Sequence, residues 1–267
     1  MHKTVLVFAP HADDAEFFAG GTIALMAEQG VKVFLVTVSD GSRGSFRHTS
    51  ADLIRLRVIE ATEAARVLGA ELPIFLGHPD LELDTLPAGL LREQFIFLIR
   101  KHRPDIVIAE DAYASHEVHP DHRAVAWAVS DALNYATLPL MHPEHLEQGL
   151  EPHFVKEKYF YGSPIDNADK IIDITTTLPI KLAALAEHHT QVEFLVEDVL
   201  RQVRAIGLDL EQMLAPELKD PMTALSWMVQ TEAALTGQKI GAPFAEAFRF
   251  TRFHPSIEFI LKSQLGG

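Results

Sequence analysis

The first apolar run of the chain, Thr4 to Ala9, stops at Pro10. A short unbroken run bounded by proline predicts a strand buried on both faces. Thr22 to Gln29 is helical in composition, and Gly30 supplies a stop. Val31 to Val38 is β-branched and predicts a second strand. Asp52 to Leu68 carries apolar residues at helical spacing and ends at Gly69. Leu72 to Leu76 predicts a third strand, Pro87 to His102 a helix, Asp105 to Ala109 a fourth strand, and Pro120 to Tyr135 another helix. Strands that alternate with helices indicate βαβ units and a parallel sheet. Ligands of such sheets bind outside the carboxyl ends of the strands. The loops at 10–21, 39–50, 77–86 and 110–122 are therefore expected to meet at one edge.

Beyond about residue 150 the periodicity weakens. Tyr159 to Gly162 and Ile171 to Ile174 read as short strands, and Phe248 to Phe253 as a late one. Leu178 to Gly207 is a long helical stretch with a break near Thr190, and Pro221 to Thr236 is a further helix. The expected fold class is α/β: a Rossmann-like, mostly parallel sheet flanked by helices, with a helical C-terminal cover. One domain is expected over 1–267, with the core in 1–150 and an extension over 151–267 that completes the pocket.

Composition narrows the chemistry. Of 267 residues 48% are apolar and 22% charged, enough for a sizeable core. The net charge of −14 disfavours nucleic acid or an anionic membrane as partner. No secretory pattern is visible, and no stretch approaches the ~20 apolar residues of a membrane helix, so a soluble cytoplasmic protein is expected. There are no cysteines and 14 histidines. A transition-metal site in this chain must therefore use His with Asp or Glu.

Two clusters offer such a site. His11-Ala12-Asp13-Asp14 follows the first strand, with Glu16 close behind. Asp is common as a cap in such turns, but two adjacent carboxylates repel, and a cation keeps both ionised. His116-Glu117-Val118-His119-Pro120-Asp121-His122 follows the fourth strand. Pro120 suits a first helical position, Asp121 suits the first turn, and His119 and His122 share one side of the starting helix. Together the clusters supply mixed N and O ligands for one metal ion. Catalytic zinc usually takes three protein ligands, and brings the pKa of its water from ~15.7 towards ~7. The parts are those of a metal-dependent hydrolase of an amide or ester. Spacing alone leaves open which Asp binds the metal and which is the base.

At these residues the chain resembles the LmbE-like (PIG-L) family of zinc-dependent N-deacetylases. The resemblance lies in His11-Ala-Asp-Asp14, Gly20-Gly-Thr22 and His119-Pro-Asp-His122. It continues in Arg57-Val-Ile-Glu60, in Gly77-His-Pro-Asp80, in the stretch 181–191 and in 242–249. Ala12 stands where the family usually has proline, so the turn loses some rigidity. The resemblance implies His11, Asp14 and His122 as ligands of one Zn2+, or another divalent transition metal. It implies Asp13 as the general base towards the water that the metal activates, and His119 as the group that stabilises the oxyanion. Asp121 would orient a neighbouring His. Arg57 and Asp80 match positions that contact sugar hydroxyls; His188 and Glu246 match positions near the site.

Bland readings stand beside these. Arg57 and Glu60 are also a plain helix pair, Asp80 a turn residue, and His189 an exposed helix residue. Arg43 would meet an anionic substrate group or serve as a surface charge. Gly20-Gly21 lacks dinucleotide spacing and reads as a helix start packed on the sheet. The activity implied is removal of an N-acetyl group from an N-acetylglucosamine-type sugar, in a homo-oligomer without nucleic-acid or membrane partners. The alternative is a metal-dependent hydratase or hydrolase of a small keto acid; a non-catalytic sugar-binding domain is a third reading.

Overall fold

The computed structural model describes residues 3–162, 168–209 and 216–253, together with 257, 259, 260 and 263. Its first half alternates β1 (Thr4–Ala9), α1 (Asp14–Glu28), β2 (Lys32–Ser39), α2 (Ser50–Leu68), β3 (Ile74–His78), α3 (Leu90–His102), β4 (Ile106–Glu110) and α4 (Pro120–Tyr135). A one-turn helix α5 (Glu144–Glu147) leads to β5 (Glu157–Tyr161). Then come β6 (Lys170–Asp173), α6 (Leu178–Ala186), α7 (His189–Ala205), α8 (Pro221–Gln238) and β7 (Ala245–Thr251). The strands form one seven-stranded sheet in the order β3-β2-β1-β4-β5-β7-β6. Pairings from β3 across to β5 are parallel, and β7 runs antiparallel to both its neighbours.

Apolar runs became strands here because helices cover both faces of the sheet. Leu6 and Phe8 of β1 face α3 and α4, whereas Val5, Val7 and Ala9 face the side of α1 and α2. Each side chain of β1 from Val5 to Phe8 has no exposed surface, so no polar alternation survives. After β3 the chain returns to the middle of the sheet and adds β4 beside β1. That reversal leaves a crevice between the carboxyl ends of β1 and β4, the place where such sheets bind ligands.

Three differences from the sequence reading have physical causes. Helix α1 begins at Asp14, eight residues before the expected Thr22, so Gly20-Gly21 lies inside it rather than at its start. The two glycines are where α6 and the turn before it press on α1. A Cβ on Gly21 would sit 2.7 Å from Ile174 Cβ, and one on Gly20 3.0 Å from Lys181 Cγ. The expected break in the long helical stretch falls at Glu187 and His188, slightly ahead of Thr190. The C-terminal half is also more than a cover, because β5, β6 and β7 extend the sheet itself. Among the described residues, no helix is long and apolar enough to cross a membrane.

Candidate metal centre

The loops after β1, β2, β3 and β4 meet at the crevice. Asp40 ties two of them together, since its Oδ1 accepts the Ser42 N–H at 3.0 Å and the Asp80 N–H at 3.1 Å. Asp121, in the first turn of α4 and wholly buried, ties in a third. Its carboxylate accepts the Leu81 N–H at 2.7 Å and the Leu83 N–H at 3.0 Å. Leu81 is held there at φ 60°, a strained conformation for a branched side chain.

At the centre, three side chains converge. His11 Nδ1 lies 3.2 Å from His122 Nε2 and 3.3 Å from Asp14 Oδ2, while Asp14 Oδ1 lies 3.5 Å from His122 Nε2. Asp14 is aimed by the backbone, because its Oδ2 accepts the His11 N–H at 2.7 Å. The outer nitrogens of both imidazoles face carboxylates. His11 Nε2 is 3.3 Å from Asp80 Oδ1 and 3.4 Å from Asp121 Oδ2. His122 Nδ1 is 2.9 Å from Glu110 Oε2. Carboxylates behind ligating histidines fix the ring tautomer and strengthen the inner nitrogen as a donor. Two imidazoles and a carboxylate, turned inward and braced from behind, fit a divalent transition metal.

His119 also brings a nitrogen within 4.8 Å of those of His11 and His122. Its Nδ1, however, accepts the Asp121 N–H at 3.2 Å and caps α4. With that lone pair committed, the neutral ring carries its proton on Nε2. His119 therefore suits hydrogen-bond donation better than metal ligation. Burial and the nearby charges of His11 and His122 hold its pKa below the usual imidazole value, which favours the neutral form.

The charges interlock. Burial works against the imidazolium of His11, but hydrogen bonds to Asp121, Asp14 and Asp80 outweigh it and keep its pKa well above normal. Burial likewise opposes His122, yet Asp14 and Glu110 raise it to about 9. Asp14 falls below the usual carboxylate range despite burial, because His122 and His11 face it. Asp80 is drawn down to about 2 against burial, chiefly by His11. Glu110 is pushed up to about 7 by burial, with Asp14 and Glu117 adding to the rise. A bound cation would replace the positive charge that protons supply here.

Asp13 takes the N-cap position of α1, but its side chain caps nothing. An N-cap aspartate normally spends its carboxylate on the helix amides; this one is left for other work. Burial and the charge of Asp14 raise its pKa, and His188, Arg57 and His11 restrain the rise. Arg57 is buried beneath the loop of Asp40 and donates to Gly44 O at 3.0 Å and to Gln191 Oε1. Gly41, at φ 64°, makes room, since a Cβ there would lie 2.6 Å from Arg57 Cδ. Ala12 borders a cavity of about 60 Å³ that it shares with Asp40, Gly41 and Arg57. His188 is buried with its Nε2 3.6 Å from Glu16 Oε1. Glu60 fixes the next residues, as its carboxylate accepts the Thr190 N–H at 2.9 Å and the Thr190 hydroxyl at 2.7 Å.

The structure thus brings His11, Asp13, Asp14, Asp121, His119 and His122 together, with Asp80, Arg57 and His188 around them. Arg43 and Glu246, expected as substrate contacts, are engaged with other parts of the chain. The Arg43 side chain pairs with Glu82 at the surface, and only its backbone N–H reaches inward, to Asp80 Oδ2 at 2.9 Å. Glu246 is 5% exposed and fully engaged: it accepts Gly21 N–H at 2.9 Å, Thr22 N–H at 2.8 Å and Lys181 Nζ at 2.7 Å. It acts as an internal strut between α1, α6 and β7. Glu110 lies one residue beyond Ala109, the expected end of the fourth strand, and so falls outside the clusters legible in the sequence. A carboxylate at the carboxyl end of a buried parallel strand was the available signal.

A buried cluster of imidazoles and carboxylates at the switch point of a Rossmann-like α/β sheet is built to hold a divalent metal ion. Residues 6–133 match the PIG-L family, described as GlcNAc-PI de-N-acetylase. Diacetylchitobiose deacetylase from Thermococcus kodakarensis is 32% identical over 191 residues, covering 71% of this chain and 70% of that one. The chain belongs to the PIG-L (LmbE-like) family. The solved N,N'-diacetylchitobiose deacetylase from Pyrococcus horikoshii, in complex with an inhibitor, superposes with a TM-score of 0.78 at 28% identity. It covers 94% of this chain, and this chain covers 84% of it. The 4-carboxy-2-hydroxymuconate hydratase from Pseudomonas putida reaches a TM-score of 0.68 at 20% identity, over 94% of this chain and 97% of its own. At that identity the likeness speaks for the fold alone.

Proposed function

We propose that this protein is a zinc-dependent deacetylase of N-acetylglucosamine-type sugars, acting on a short β-linked oligosaccharide or conjugate as a cytoplasmic homo-oligomer. The observation that carries the reading is the inward convergence of His11 Nδ1, Asp14 and His122 Nε2 beside an Asp13 carboxylate that caps nothing. Zn2+ held by those three side chains would polarise the acetamide carbonyl and acidify a water molecule to near neutrality.

The chain's own groups do the rest. Asp13 accepts a proton from the attacking water and hands it to the departing amine nitrogen as the C–N bond breaks, giving acetate and a free amine. Its raised pKa suits a base that must also return the proton. His119 Nε2–H donates to the oxygen of the acetamide as negative charge gathers there. Arg57 and His188 hold positive charge beside Asp13, which keeps it ionised in a buried place. Asp80 and Asp121 hold the His11 ring from behind, and Glu110 holds that of His122.

Acetate release from N-acetylglucosamine and N,N'-diacetylchitobiose, with zinc restored, tests the reading. Release that stops on chelation and returns with zinc is the expected result. No acetate from either sugar, with bleaching of an unsaturated keto acid instead, would transfer the site to the hydratase reading.

A further inference from the structure

The loop between β4 and α4 turns the usual order of polarity around. Val118 is 83% exposed, whereas Glu117 before it faces inward and leaves 23% of its side-chain surface to solvent. Ordinarily the apolar side chain goes in and the carboxylate out. His116, which leads into this turn, is held at φ 70°, a conformation that persists only where the surroundings fix it.

The inward carboxylate meets two residues of the metal centre. Glu117 Oε1 accepts the His119 N–H at 2.6 Å. Its Oε2 lies 3.7 Å from His122 Nδ1, the nitrogen that also faces Glu110 Oε2 at 2.9 Å. One oxygen of each glutamate and a nitrogen of His122 fall within 4.8 Å of one another. The turn is closed from outside as well, because Arg123 Nη1 donates to Glu117 O at 3.3 Å and to Val118 O at 2.5 Å. His119 is thus tied twice. Its main chain is held by Glu117, and its ring Nδ1 by the Asp121 N–H at 3.2 Å. Two bonds at opposite ends of the residue set where its Nε2 stands.

We propose that Glu117 is a positioning residue whose single carboxylate sets both the metal ligand His122 and the oxyanion donor His119. This rests on the deacetylase reading of the site. One oxygen adds negative charge behind the His122 ring, which favours the proton on Nδ1 and leaves the Nε2 lone pair for the metal. The other oxygen holds the peptide that carries His119, and an ionised acceptor holds an N–H more tightly than a neutral one. The metal and the oxyanion donor thereby keep a fixed spacing. Such spacing matters to the reaction, since a misplacement of about 1 Å can cost 10²-fold in rate.

Two variants separate the contacts. Glu117→Gln keeps an oxygen for the His119 N–H and removes the charge that faces His122. It should weaken zinc about 10-fold in competition with a chelator, and lower kcat at saturating zinc only slightly. Glu117→Ala removes both contacts. It should show the same loss of zinc affinity, together with a kcat lower by about 10- to 100-fold at little change in KM. Zinc bound equally by the parent and Glu117→Gln overturns the proposal. So does an equal loss of kcat in the two variants, which would make Glu117 no more than a support for the turn. Should Glu117→Ala fail to fold, the zinc affinity of Glu117→Gln decides. If no sugar releases acetate, the deacetylase reading fails, and the chelator competition, which needs no substrate, still decides whether Glu117 acts on His122.

Discussion

Neighbouring aspartates at the end of β1 are set apart by what surrounds each. Asp14 is turned onto His11 and His122, and they pull its pKa down. Asp13 is buried, uses its carboxylate for no cap, and is pushed up. Two carboxylates driven in opposite directions fit the proposed roles of metal ligand and base. Asp13→Asn should reduce turnover by about 10²- to 10⁴-fold, with one metal still bound per chain by elemental analysis. His119→Phe should cost about 10²- to 10³-fold in kcat with little change in KM, measured by steady-state acetate release. The pH dependence of metal uptake follows from the same shifts. His11 and His122 are protonated in the metal-free protein at neutral pH, the latter up to about 9. Each must lose a proton to ligate, whereas Asp14 is already ionised. Metal affinity should therefore rise by about 10- to 100-fold per pH unit between pH 7 and 8, and less steeply once His122 has lost its proton at about 9. Competition with a chelator at several pH values measures this, and a flat profile would refute the ligand set.

At the scale of elements, the join between the two halves of the chain is a buried ion pair. Glu246 of β7 reaches into the middle of α1, where it accepts two backbone amides and Lys181 of α6. Glu246→Ala would strand Lys181, which is 4% exposed, with no counter-charge. It should destabilise the protein by about 3–5 kcal/mol in denaturant unfolding, while the metal content of folded molecules stays the same. Gly21→Ala should cost about 1–3 kcal/mol, because its new methyl group would press on Ile174. The same join explains why α1 starts at Asp14 and not at the expected Thr22. The sequence shows Gly-Gly, which ordinarily ends or precedes a helix. Only the neighbours supplied from 174, 181 and 246 make a glycine pair useful inside one. By contrast β1, α4 and the Gly69 stop of α2 were legible, because an apolar run, a proline at the first turn and a glycine at φ 74° act locally.

For the whole molecule, the metal site sits where the return of the chain places β4 beside β1. Of its three inward groups, His11 lies in the loop after β1, Asp14 opens α1 and His122 is in the first turn of α4, so holding an ion would tie the starts of α1 and α4 together. Chelation should lower the melting temperature, and added zinc should restore it. The stabilisation should be about 4 kcal/mol when free metal is 1,000 times its Kd. Melting curves that ignore chelator would argue against a structural bridge. The net charge of −14 spread over the chain adds little to this, since the local pairs described above dominate at a buried site.

By itself the sequence determined the alternation of strands and helices, the use of His with carboxylates in a chain without cysteine, and the two clusters that hold the centre. These are properties of residue type and near spacing, which local sterics and periodicity express. The tertiary structure alone decided which nitrogen of each His faces inward, because that depends on Asp80, Asp121 and Glu110, remote in sequence from the rings they brace. It also decided that Glu246 is a strut and that the Arg43 side chain turns to the surface. Both outcomes follow from partners that only the folded chain brings within reach.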